Sequence, residues 1–117
     1  MRALDQRTGV VLAEQVIAAD RFVPRLVGLL GRRSLPRGQG LLIRPCSSIH
    51  TLGMRFSIDA LFLDGEGRVL RALQTLAPWR VPAPVRGAAM VLELPAGTLA
   101  RCGTVAGARV VFEPRRA

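Results

Sequence analysis

Short apolar runs separated by turn-forming residues dominate the pattern along the chain. Six segments have the composition and length of β-strands: residues 9–18, 41–43, 58–63, 69–76, 88–94 and 109–112. The Asp-Gly-Glu-Gly sequence at 64–67 predicts the turn of a hairpin between the third and fourth of them. Residues 77–84 hold three prolines around Trp79, which predicts an irregular loop pinned by the tryptophan. The pattern as a whole predicts a mainly β domain, either a sandwich or a partly closed barrel.

One or two short helices complete the predicted fold. Pro24 suits the first helical turn and Gly31 suits the residue beyond the last, so a helix is predicted near residues 23–30. A helical turn is predicted over residues 98–102 with Thr98 as its N-cap. The fold class is therefore mainly β, and α+β only at the margin.

The length of the chain limits it to one domain, predicted to span residues 1–117. No uncharged stretch approaches the roughly 18–20 residues that cross a bilayer, so no membrane partner is predicted. The first residues lack the apolar run and cleavage site of a secretory signal. These features predict a soluble, cytoplasmic protein.

The charge balance is strongly positive, at +9, and all 17 basic residues are arginine. Such a charge attracts polyanions non-specifically. The arginines are, however, dispersed along the chain, and an aromatic content of 4% is low for a platform that stacks on bases. Nucleic-acid or polyanion binding is therefore kept as the alternative function.

The two cysteines, Cys46 and Cys102, are too few for a disulfide-stapled scaffold, so reduced thiols are predicted. Cys46 and His50 have the spacing of a Cys-x3-His pair. On an extended segment, however, such residues lie roughly 13 Å apart, too far to share a metal ion. No metal site and no cofactor are predicted.

The densest polar cluster lies between residues 46 and 59 and contains the sole histidine. Ser48, His50 and Asp59 have the residue types of a nucleophilic triad. On a strand, Ser48 and His50 would lie about 6.6 Å apart, against the roughly 3 Å that a hydrogen bond needs. No catalytic residue is assigned, and an enzyme of unknown reaction ranks third among the functions considered.

The same cluster is better suited to binding. Short hydrogen-bonding side chains and the fork of an arginine suit a polar ligand, and carboxylates set among apolar strand residues need partners. The candidate ligand- or partner-binding residues are Ser48, His50, Thr51, Arg55, Asp59 and Glu93. Arg55 is expected to pair with Asp59 or, more favourably, with Glu93 on a neighbouring strand. A purely structural network that binds nothing remains the other interpretation of the cluster.

Four segments in order, at residues 25–32, 38–43, 48–59 and 91–97, resemble domain-of-unknown-function family 192 of bacteria and archaea, in its branch with an "IHTxGMRFxID" segment. The resemblance covers nearly the whole chain and implies a jelly-roll-like sandwich with no established activity. The positions that it marks are His50, Thr51, Gly53, Met54, Arg55, Asp59, Glu93, Pro95 and Gly97. Ser57 and Ala108 depart from the family pattern, which usually has proline and aspartate there. Another branch has tryptophan at the place of His50, which argues against acid–base chemistry by that residue.

The sequence thus predicts an uncharacterised domain that binds a small polar ligand or a protein partner at a cleft formed by residues 47–59 and Glu93. A salt-sensitive polyanion binder is the alternative.

Overall fold

The structure, a computed structural model, describes residues 1–19 and 35–114. These residues form eight strands and one short helix: β1 (Arg2–Asp5), β2 (Val11–Ala13), β3 (Gln15–Ala19), β4 (Gln39–Ile43), β5 (Ile58–Leu63), β6 (Val69–Leu76), β7 (Met90–Pro95), α1 (Thr98–Cys102) and β8 (Val110–Glu113). The predicted mainly β class is confirmed. No helix in this part of the chain combines the length and the apolar character that crossing a bilayer requires.

The strands form two separate sheets. One has three strands in the order β2-β1-β8, and the other has five in the order β3-β4-β7-β5-β6. Strands β3 and β4 are parallel, and the other paired strands are antiparallel. The predicted strand segment at residues 9–18 is in fact two strands, β2 and β3, one in each sheet, with only Glu14 between them. Of the two predicted architectures, the described residues form the sandwich.

The five-stranded sheet is covered on both of its faces. One face packs against the three-stranded sheet, with Leu61 and Leu92 opposing Ala3 and Val110 in one apolar cluster. We call this the inner face. Because neighbouring side chains on a strand point to opposite faces, the alternate residues form a second cluster. We call that side the outer face; the connection between β4 and β5 covers it. Coverage on both sides explains why every residue of β5 is buried.

The two predicted helices have different outcomes. The helix predicted near residues 23–30 lies outside the described residues. The helical turn at residues 98–102 is confirmed as α1, but Thr98 is not its N-cap. Gly97 occupies that position in a left-handed conformation with φ of 93°, and the Thr98 hydroxyl donates instead to the carbonyl oxygen of Pro95 at 2.7 Å.

Candidate functional site

Asp59 is a completely buried carboxylate on the inner face of the five-stranded sheet. Its Oδ1 accepts the backbone N–H of Thr75 at 2.8 Å, and its Oδ2 accepts the backbone N–H of Leu99 at 2.9 Å. The first bond holds Thr75 at a φ of 51°, unusual for a β-branched residue. The second satisfies one of the free amides in the first turn of α1. Asp59 therefore joins β5, β6 and α1 inside the core. Arg55 was expected to pair with Asp59 or, more favourably, with Glu93; this is wrong, since Arg55 forms no ion pair among the described residues.

Glu93 is also completely buried, but it lies on the outer face. In the sheet register Glu93 stands beside Leu41 of β4 and Ala60 of β5, whereas Asp59 stands beside Leu94. A shift of one residue along a strand moves a side chain to the opposite face. The sheet therefore separates the two carboxylates, and they do not line one common cleft.

Thr51 is the centre of a hydrogen-bonded junction between the β4–β5 and β6–β7 connections. Its buried hydroxyl donates to the carbonyl oxygen of Ala77 at 2.7 Å and accepts the N–H of Arg80 at 2.9 Å. Its backbone N–H donates to the carbonyl oxygen of Arg80, and its own carbonyl oxygen accepts the N–H of Trp79, both at 2.9 Å. The predicted site residue Thr51 thus fixes one loop upon the other from within.

The remaining polar residues of the cluster lie nearer to solvent. Ser48 is exposed, and its carbonyl oxygen accepts the thiol of Cys46 at 2.9 Å. His50 is half-buried, and its Nδ1 accepts the N–H of Leu52 at 3.2 Å. Asp59 does not orient this ring, because both of its oxygens are engaged on the opposite side of the sheet.

The two cysteines also lie on opposite sides of the five-stranded sheet. Cys46 belongs to the apolar cluster on the outer face, and Cys102 packs against the cluster on the inner face. No disulfide joins them.

Three large apolar side chains project from the junction into water. Leu52 is 40% exposed, Trp79 66% and Val81 69%. All three neighbour the Thr51 junction along the chain, since Leu52 follows Thr51 and the other two flank Arg80. Trp79 was predicted to pin its loop; this is wrong, because the Thr51 hydrogen bonds do so and leave the indole exposed.

The two connections that meet at Thr51 carry positive charge only. The connections at residues 44–57 and 77–89 contain no acidic residue, and their arginines are all exposed: Arg44, Arg55, Arg80 and Arg86. Within residues 1–19 and 35–114, none of the four forms an ion pair. We refer to Leu52, Arg55, Trp79, Arg80 and Val81 as the Thr51 surface. Sequence reasoning found only Arg55 of this set, although a sole tryptophan among prolines was a signal for the rest.

The cavities lined entirely by described residues lie away from this cluster. Two cavities lined entirely by described residues have volumes of about 460 and 200 Å³. The larger lies between the β5–β6 turn and β8, and the smaller lies beside β2. Neither cavity is lined by a residue of the 47–59 segment, so the exposed surface of that segment is its candidate binding area.

Comparisons with known proteins place the chain among uncharacterised relatives. The model of domain-of-unknown-function family 192, described as "Uncharacterized ACR", matches residues 3–112. A UPF0127 protein of Pyrococcus furiosus is 32% identical over 112 residues, covering 92% of this chain and 94% of the relative. A UPF0127 protein of Pyrococcus horikoshii is 38% identical over 88 residues, covering 71% and 74%.

Two solved structures share the fold. A protein of unknown function from Novosphingobium aromaticivorans has a TM-score of 0.78 at 20% identity and covers 95% of this chain and 82% of its own. A putative transcription regulator from Sinorhizobium meliloti has a TM-score of 0.73 at 25% identity, covering 94% and 89%. The first likeness shows the fold alone.

Proposed function

Because the chain belongs to domain-of-unknown-function family 192, described only as uncharacterized, we propose a function from its own residues: a binding module that docks a partner protein through the Thr51 surface. The observation that carries this proposal is the 66% exposure of Trp79. Tryptophan is among the residues most enriched at the energetic centres of protein interfaces.

The exposure of Trp79 leaves a large amount of hydrophobic free energy unused. A buried aromatic side chain removes about 150–250 Å² from water, and each Å² contributes roughly 25 cal/mol. At the exposure observed, a partner that covers the indole gains on the order of 3 kcal/mol from this side chain. Leu52 and Val81 extend the apolar area on either side of the junction.

The loop that carries Trp79 is held in one conformation. Trp79 has a φ of 62°, in the left-handed region that non-glycine residues seldom occupy. The bonds from Thr51 to Ala77, Trp79 and Arg80 fix the backbone on both sides of it. Strained residues that the surrounding structure holds in place occur preferentially at functional sites. A fixed loop also loses less conformational entropy when a partner binds.

The residues predicted from sequence take different roles in this proposal. Ser48, His50 and Arg55 provide polar groups around the apolar centre, which is the usual arrangement of an interface rim. Thr51 anchors the surface from below. Asp59 and Glu93 are buried and support the sheet from its two faces without meeting the partner.

Site-specific crosslinking tests the proposal. A photoreactive amino acid replaces Val81, and a matched variant carries it at Val105, which is 51% exposed in the segment that follows α1. In cells that naturally contain the protein, position 81 should give a discrete protein adduct that Trp79→Ala abolishes. The control position should not give that adduct. Equal adducts at the two positions, or none at position 81, would contradict the proposal.

A second candidate is polyanion binding, which the net charge of +9 favours. The neighbour described as a putative transcription regulator points the same way. For this function, the affinity for duplex DNA should fall steeply as salt rises, with a slope set by the number of phosphates contacted. A weak affinity for duplex DNA that changes little with salt concentration would contradict polyanion binding.

We also propose a cytoplasmic location. Two thiols on opposite sides of a sheet, not joined to each other, suit a reducing compartment. Cell fractionation tests this, and recovery of the protein in the envelope fraction would contradict it.

A further inference from the structure

We infer that the segment docking on the Thr51 surface is acidic, with several carboxylates beside an apolar side chain that covers Trp79. This inference rests on the proposed function and specifies its partner. The observation behind it is that the two connections forming the surface carry only positive charge, from four exposed arginines and no acidic residue.

Among the described residues, the arginines of the Thr51 surface have no ion-pair partner, unlike Arg2. Arg2, on β1, has two carboxylates within 4 Å, those of Glu14 and Glu113. No described carboxylate lies that near to Arg55 or Arg80. The protein thus balances an arginine within the three-stranded sheet and leaves those of the Thr51 surface without a counter-charge from the described residues. Such a surface complements an acidic partner and accelerates its encounter.

Hydrogen bonds place charge and apolar area side by side. Arg80 directly follows Trp79, and its backbone N–H and carbonyl both bond to Thr51. Arg55 follows a turn closed by the N–H of Met54 and the carbonyl oxygen of Thr51 at 3.1 Å. The guanidinium fork matches the two oxygens of a carboxylate, which favours acidic side chains as the groups recognised.

The composition of the surface favours a protein segment over a nucleic acid. Single-stranded nucleic acids bind on several aromatic rings along a basic groove. Here one ring stands beside two aliphatic side chains, Leu52 and Val81, which cannot stack on bases but pack well against leucine or valine.

Titration with a synthetic peptide tests the inference. The probe is a short capped peptide in which two glutamates follow each leucine, and its control has glutamine in place of every glutamate. Trp79 is the only tryptophan and tyrosine is absent, so the intrinsic fluorescence of the full chain reports on this surface alone. The acidic peptide should give a saturable shift of the emission to shorter wavelength, and the glutamine peptide should not.

Arginine variants test whether binding of the acidic peptide depends on the positive charge of the Thr51 surface. The double variant Arg55→Ala/Arg80→Ala should bind the acidic peptide about three- to tenfold more weakly, as expected for two exposed ion pairs. Arg101→Ala removes an exposed arginine from α1, which packs on the inner side of the sheet, and should change the affinity less than about twofold. All three side chains are exposed, and urea unfolding of each variant confirms that it is folded.

Three results would overturn the inference. These are an unchanged spectrum with the acidic peptide, an equal response to the glutamine peptide, and duplex DNA that shifts the emission with higher affinity than the acidic peptide. If crosslinking at Val81 succeeds while the acidic peptide fails, the docking function stands and the acidic partner is refuted. If the crosslinking itself fails, the proposed function falls as well.

Discussion

Replacing Asp59 tests whether this residue is structural. The carboxylate is completely buried and accepts one backbone N–H on each oxygen, from Thr75 and from Leu99. Asp59→Ala removes both acceptors at a completely buried position. Each buried N–H left without a partner costs about 1–3 kcal/mol. The variant should therefore lose about 2–6 kcal/mol of unfolding free energy, a large part of the total for a domain of this size.

Asp59→Asn separates the loss of charge from the loss of shape. The amide keeps one acceptor oxygen and turns an NH₂ group towards the other backbone N–H, so one of the two bonds is lost. The expected cost is about 1–3 kcal/mol. Asp64 is the matched control, because its Oδ1 also accepts two backbone N–H groups, from Glu66 and Arg68, in a solvent-exposed turn. Asparagine keeps one oxygen that can accept both of these bonds, so Asp64→Asn should cost less than Asp59→Asn.

Urea unfolding followed by circular dichroism measures these differences, because the exposed Trp79 is a poor reporter of the core. The folded Asp59→Asn protein should keep the Trp79 emission of the wild type, since Asp59 faces the inner side of the sheet. A cost below about 1 kcal/mol for Asp59→Ala would refute the structural role. A changed Trp79 spectrum with unchanged stability would place Asp59 at the binding surface instead.

Three further predictions follow from single residues. Thr51→Val keeps the shape and removes the hydroxyl, so it should cost about 1–3 kcal/mol in urea unfolding, whereas Thr8→Val at an exposed turn should cost less. Gly67→Ala should destabilise the protein more than Gly107→Ala in the same assay: both glycines have positive φ, but only at Gly67 would the new Cβ collide with a backbone atom, the carbonyl oxygen of Val110. Backbone hydrogen bonds lower the pKa of Asp64 below its ordinary value, so its stabilising effect is present at neutral pH and is lost as the pH falls through the folded-state pKa. Acid unfolding of Asp64→Asn should therefore show less loss of stability over that range, and an identical acid profile for wild type and variant would contradict the assignment.

Local sequence signals were sufficient to predict some strands but not others. The bounds of β5 and β6 were predicted because apolar runs of strand length flank an Asp-Gly-Glu-Gly turn, so the local chemistry determines the hairpin. Strand β1 was missed, because Arg2–Asp5 is short and half charged. It becomes a strand through pairing with β2 and β8 on its two sides, and the latter lies at the other end of the chain.

The positions of the candidate site residues depend on contacts between distant parts of the chain, which no local sequence pattern predicts. That Asp59 and Glu93 lie on opposite faces follows from the register of β5 against β7, which sets Asp59 beside Leu94. The hydroxyl of Thr51 reaches a carbonyl 26 residues further along the chain. Trp79 was predicted to pin its loop, whereas the hydrogen bonds of Thr51 hold the loop and leave the indole exposed.

The central claim is that Trp79 stands in water beside exposed arginines that no described carboxylate balances. Collisional quenching of its fluorescence by iodide and by caesium, at low ionic strength, tests this most directly. We predict efficient quenching by both ions, with iodide clearly stronger, an asymmetry that added salt and the Arg55→Ala/Arg80→Ala variant both reduce. Weak quenching by both ions, or caesium equal to iodide, would contradict the account.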